Sequence, residues 1–272
     1  AEVVNAHLRG RKLTQYQVVG ELRAIPVSVP SPASEFRFRL KNTHRIEQLK
    51  VNEKFVKAAS GGEYIANLPA MSSSKPVPLI KYVAAAKWRP VPLFMDVSVE
   101  TSDAAEADGD EGPRLRAVVQ TNPALKSTLV NVVVSANLPE AFRMREAPIW
   151  PDGSSFEAET RKLQWRVCKE LIRDKPVTCS APITPEAAAA LRAADGLVPA
   201  LAGVPFSVSF GCDGVTISGI ELEVQLVGGA SGDRAPPIAK LMRRFNAGEY
   251  RVTAPKTATD AEQRRESRES RD

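Results

Sequence analysis

Apolar and polar residues alternate along much of this chain with a period of two. The strictest stretch is Glu35-Phe-Arg-Phe-Arg-Leu-Lys41. On an extended backbone Phe36, Phe38 and Leu40 share one face, and Arg37, Arg39 and Lys41 share the other. The same pattern predicts strands at 3–8, 15–25, 78–86, 93–99, 115–121, 129–136, 161–167, 205–210, 214–227 and 239–250. Residues 63–68 fit a short strand or a helical turn. One helix is expected at 184–196, with Thr184 as its N-cap, Pro185 in the first position, alanines inside and Gly196 at the end. The fold class predicted is all-β.

Breaks in the pattern mark the connections. Residues 26–32 form a Pro/Ser-rich loop, and the strand pattern restarts after Trp88-Arg-Pro90. Asp103 to Gly112 is an acidic, small-residue stretch, expected as a solvated insertion between two strands. It lacks the ligand order and closing Glu of a calcium loop. Beyond residue 254 the pattern stops. The tail from Pro255 holds five basic and five acidic residues, and is expected to be a disordered, charged extension. The formal charge of +5 therefore belongs to the body of the domain.

That charge permits acidic partners without naming one. No basic motif interleaved with aromatics is present, so no nucleic-acid partner is expected. Cys168, Cys179 and Cys212 are odd in number and fit no zinc spacing. They read as free thiols of a reducing compartment. No run of about 18 apolar residues occurs. The opening Ala1-Glu-Val-Val-Asn lacks the basic and apolar regions of a secretory signal.

Catalytic chemistry has little to build on. His7 and His44 are the only histidines, and neither sits in a motif. There is no Gly-x-Ser-x-Gly elbow and no phosphate-cradling Gly-x-x-x-x-Gly-Lys. The chain is expected to be a non-enzyme without cofactor or metal. Trp88 and Trp165 are expected in the core rather than as peptide anchors.

Several segments in order carry a family resemblance. Glu2-Val-Val-Asn-Ala-His-Leu-Arg-Gly10 and Val18-Val-Gly-Glu-Leu22 resemble the opening strands of muniscin domains. Phe36 to Leu40 with Ile46-Glu-Gln-Leu49 resembles their next pair, and Trp88-Arg-Pro-Val-Pro-Leu93 their crossing segment. Leu163-Gln-Trp-Arg-Val167 and Leu241-Met-Arg-Arg-Phe-Asn-Ala-Gly-Glu-Tyr250 resemble two later strands. The chain thus resembles the muniscin-type mu-homology domain of the FCHo, SGIP and TPLATE-complex proteins, a relative of clathrin-adaptor medium chains. The resemblance implies an elongated all-β body of two β-sandwich subdomains. The first would comprise 1–90 and 204–253, and the second, 91–203, would be inserted into it.

The resemblance also implies a function. It would be an endocytic adaptor domain, cytoplasmic and peripheral at the plasma membrane, that binds endocytic scaffold or adaptor proteins and membrane cargo tails at clathrin-coated pits. In the medium chains a tryptophan on the penultimate strand helps bind Tyr-x-x-Φ peptides. Leu241 stands about there and offers no aromatic wall. Their lysine cluster for phosphoinositides is replaced by Phe156-Glu-Ala-Glu159 before Arg161 and Lys162. The alternative function is a peripheral membrane module that contacts acidic phospholipids. The candidate partner or membrane residues are Arg9, Arg11 and Lys12 at a hairpin tip, Arg37, Arg39 and Lys41 on one strand face, and Arg243 on the last strand, facing opposite to Arg244.

Overall fold

A computed structural model describes residues 1–25, 33–85, 91–100, 112–140, 142–193, 203–225 and 240–254. In chain order the strands are β1 (Glu2–Arg9), β2 (Lys12–Ala24), β3 (Ser34–Lys41), β4 (Ile46–Val51), β5 (Val56–Ala58) and β6 (Glu63–Leu68). β7 (Val77–Ala84), β8 (Leu93–Glu100), β9 (Arg114–Thr121), β10 (Leu129–Asn137), β11 (Ser155–Glu157), β12 (Lys162–Leu171) and β13 (Val177–Pro182) follow. After the helix α1 (Pro185–Ala193) come β14 (Phe206–Asp213), β15 (Glu221–Gln225) and β16 (Arg244–Thr253). The fold is all-β, as the alternation predicts. Thr184 caps α1: its Oγ1 accepts from the Ala187 amide at 3.2 Å. The Trp88 crossing, the acidic stretch 103–111, Gly196 and the tail from Pro255 lie outside the described residues.

The chain forms two compact units. One is Ala1–Val4, Gln17–Pro90 and Cys212–Asn246; the other is Asn5–Tyr16, Val91–Gly211 and Ala247–Asp272. The chain passes between them within β1, β2, β14 and β16.

In the first unit β15, β3, β6 and β5 make a four-stranded sheet, and β7 pairs with β2 and β4. Phe36, Phe38 and Leu40 enter a core with Val56, Ala66, Leu79, Ile80, Tyr82 and Ile220. Gly20 lies opposite Tyr82, and a Cβ there would sit 1.9 Å from the phenol ring, so only glycine fits. The Tyr82 hydroxyl crosses over to donate to Glu2 Oε1 at 2.6 Å.

Glu2 is fully buried and organises its surroundings. Its Oε2 accepts from the Ile217 amide at 2.6 Å and the Ser218 amide at 3.1 Å, and the Ser218 hydroxyl donates to Oε1. This explains a departure from the sequence pattern. Of the strand expected over 214–227, the described part, 214–225, is extended from Glu221 to Gln225 and irregular ahead of it. Ahead of it, amides that a strand would give to a neighbour are turned onto a carboxylate, and Gly214 and Gly219 take positive φ values of 86° and 68°. Ile217 and Ile220 are still buried, so the apolar pattern reported burial and not extension.

In the second unit β13, β9 and β8 form a three-stranded antiparallel sheet. β11, β12, β10 and β14 form another run of neighbours. Trp165 sits opposite Val134, is fully buried between Leu163 and Val167 on its own strand, and stacks on Phe206 at 6.2 Å and 6°. Tyr250, also buried, donates to the Leu93 carbonyl at 2.5 Å. β1 is held beside β16: the Gly10 amide donates to Thr253 O at 2.7 Å, and the Glu249 amide to Asn5 Oδ1 at 2.8 Å.

Candidate functional site

The three basic residues of β3 share the outer face of the four-stranded sheet, as the alternation predicts. Cross-strand register decides what that face presents, because opposite residues in a ladder point the same way. Lys41 and Arg39 lie opposite Glu221 and Glu223 of β15, and Arg39 lies opposite Glu63 of β6. Lys41 Nζ pairs with Glu223 at 3.3 Å, and Arg39 reaches Glu63 at 3.7 Å and the Gly61 carbonyl at 3.1 Å. Arg37 faces Gln225 and Ile65 instead. The stripe is therefore a mixed-charge face on which Arg37 has no carboxylate partner among the described residues.

The hairpin tip divides likewise. Arg11 clamps Asp96 with contacts of 3.1 Å and 2.6 Å, and its guanidinium stands 5.6 Å from the Phe94 ring centre. Arg9 and Lys12 are exposed and have no ion-pair partner among the described residues. Arg9, Arg11 and Lys12 belong to the second unit, and Arg37, Arg39, Lys41 and Arg243 to the first.

Arg243 is not on the last strand, which begins one residue later at Arg244. It ends a non-strand segment, Lys240 to Arg243, pinned where the Gly214 amide donates to the Arg243 carbonyl at 2.8 Å. Carbonyl pairing with a turn replaces the expected ladder. The opposite-face relation to Arg244 is lost with it, and Arg244 turns to Asp213 at 3.4 Å. Leu241 and Met242 in this segment are 41% and 64% exposed.

One exposed group gives no signal in the alternation. Trp150, between Ile149 and Pro151, is 54% exposed in the second unit. Its backbone is fixed against β13: its amide donates to Ser180 O at 2.9 Å, and its carbonyl accepts from the Ser180 amide at 2.8 Å. The bracketing Pro148 and Pro151 are the sequence's only hint that the indole sits outside a strand.

The buried polar groups do not open to solvent. Glu2 and Ser218 are fully buried and Tyr82 nearly so. Burial, then the Glu2 charge, pushes the Tyr82 hydroxyl well above its ordinary range. Among the described residues no three His, Cys, Asp or Glu side chains gather as a metal site would require. No helix there is long and apolar enough to cross a membrane. Cys168 and Cys179 are free thiols.

This all-β fold is that of a mu-homology domain, a class of protein-interaction modules. The chain belongs to the muniscin C-terminal mu homology domain family, which it matches over residues 1–253. Among solved structures it is similar to the Fcho1 mu homology domain of Danio rerio with bound Eps15 peptide: 18% identity, 93% of this chain and 94% of that one, TM-score 0.58. It is also similar to the yeast delta-COP-I mu-homology domain, at 13% identity over 92% and 95% with a TM-score of 0.55. The same yeast domain complexed with a Dsl1 WxWxV peptide aligns at 14% identity over 92% and 95%, with a TM-score of 0.58. No curated protein matches the chain.

Proposed function

We propose that this domain is the protein-binding platform of an endocytic adaptor. It gathers scaffold proteins and membrane cargo at clathrin-coated pits, on the cytoplasmic side of the plasma membrane. The observation that carries this is family membership across residues 1–253. Two of the similar structures, Fcho1 and delta-COP, hold peptides of other proteins, which supports short peptide segments as the ligand class. A pull-down of endocytic scaffold fragments by the purified domain tests the reading. Saturable binding supports it, and no binding to any fragment overturns it.

Acidic phospholipid contact is the second reading. It is favoured by Arg9, Lys12, Arg37 and Arg243, cations without carboxylate partners among the described residues. Near an anionic leaflet each contributes about 1 kcal/mol. Co-sedimentation with phosphoinositide vesicles, repeated with Arg9→Gln/Lys12→Gln, checks it. Binding unchanged by the double substitution removes the hairpin tip from consideration.

A further inference from the structure

The outer face of the β13–β9–β8 sheet carries an unassigned combination of groups. Ser180 lies opposite Arg116, and Arg116 opposite Ser98. Trp150 bridges to Ser180 from the other side, so its indole shares that face. In the adjoining row Pro182 lies opposite Arg114, and Arg114 opposite Glu100.

Among the described residues the charges on this face do not cancel. Arg116 is paired with Glu100, and Arg11 with Asp96. Among the described residues Arg114 meets only neutral oxygens: Nη2 donates to the Pro148 carbonyl at 3.0 Å, and Nε reaches Ser180 Oγ at 3.4 Å. Both acceptors tie it to the backbone that presents Trp150. A half-exposed indole on a fixed backbone thus stands beside a guanidinium that has no carboxylate partner among the described residues. Tryptophan and arginine are the residues most enriched where interfaces concentrate their binding energy. A guanidinium fork suits a carboxylate, and an indole face suits an apolar side chain.

We propose that this face docks an extended acidic segment of a partner protein. That segment carries a Glu or Asp and a large apolar residue two positions apart. Spacing of two puts both side chains on one side of an extended peptide. The apolar residue covers Trp150 and the carboxylate meets Arg114. The proposal rests on the protein-binding reading above and adds the place and the chemistry.

The test uses the intact domain with its tryptophan indoles labelled with nitrogen-15, the Trp150 signal being assigned through Trp150→Phe. Probes are twelve-residue Gly/Ser peptides carrying Glu-x-Leu, Gln-x-Leu or Glu-x-Ala. The Glu-x-Leu peptide is expected to move the Trp150 signal saturably below about 1 mM. Trp150→Ala is expected to weaken binding about tenfold or more, since exposed residues can be removed without unfolding. Arg114→Gln is expected to erase the preference for Glu over Gln, and Arg114→Lys to restore part of it. Equal binding of the Glu and Gln peptides, or wild-type affinity in Trp150→Ala, overturns the site. So does a Trp150 signal that responds to anionic vesicles and to no peptide. If scaffold fragments bind Trp150→Ala like wild type, the protein-binding function stands and this site falls. If they do not bind the wild type either, the function itself falls.

Discussion

At the scale of single residues, burial sets the largest effects. Trp165 is enclosed by Leu163, Val167 and Phe206, and its indole N–H has no acceptor among the described residues. Its contribution is packing. Trp165→Ala is expected to lower unfolding free energy by about 3–5 kcal/mol, read from denaturant midpoints, with Trp165→Phe costing less. A midpoint unchanged by the Ala substitution would contradict the packing assigned to it. Burial also predicts an alkaline limit. It pushes the Cys179 thiol up to about 12, helped by neighbouring Cys168, and raises the Tyr82 and Tyr250 hydroxyls. Unfolded, such groups ionise near about 8.5 for thiol and 10 for phenol. Above those values the unfolded chain releases protons that the folded chain keeps, so stability falls as pH rises. The loss begins near about pH 8.5 through Cys179 and steepens above about 10 through the tyrosines. Urea unfolding at stepped pH checks this: Cys179→Ala flattens the lower window, while Tyr82→Phe lowers stability throughout by removing the hydrogen bond to Glu2 and flattens the slope only in the upper one.

At the scale of elements, strict alternation was the most legible signal. β3 follows it from Glu35 to Lys41 and β12 from Lys162 to Val167, because one face of each is buried there. Two readings based on the same signal did not survive. Ile217 is buried without lying on a strand, since its amide serves Glu2. The segment before Arg244 is held by a turn amide instead of a ladder. Hydropathy reports which side chains are inside, and the partners of the backbone amides lie far away in sequence. The short strands β5 and β11 gave too few residues to show a period. Trp150 was missed because its exposure depends on the Ser180 bridge, which no local pattern encodes. Register likewise changes what the β3 stripe means. Arg37→Gln/Arg39→Gln/Lys41→Gln is expected to cost little, since exposed ion pairs are worth about 0–1 kcal/mol. Replacing the same three residues with Glu sets like charges opposite Glu63, Glu221 and Glu223, and should cost about 0.2–1 kcal/mol more per facing pair. Thermal melts of the two triple variants compare them; equal melting temperatures would mean the ladder does not couple these side chains.

At the scale of the whole molecule, the family was legible because its segments recur in order along residues 1–253. The ligand was not, because binding depends on a few side chains that the fold does not dictate. Tyr-x-x-Φ peptides are expected to bind weakly, at best near millimolar, because Leu241 is an exposed aliphatic group ahead of β16 and supplies no ring to stack on. Calorimetry settles it: micromolar affinity that Leu241→Lys abolishes would show a working pocket there. The pairing of β1 with β16 has a further consequence during synthesis. Asn5 and Glu249 are 244 residues apart. At about 5–20 residues per second, a ribosome needs roughly 12–50 s to cover that distance. Through that interval one side of β1 lacks its hydrogen-bonding neighbour, and an open strand edge is a template for mispairing. A nascent chain that stalls or is cut before Ala247 keeps that edge open, so quality control of this domain hinges on whether β16 is made.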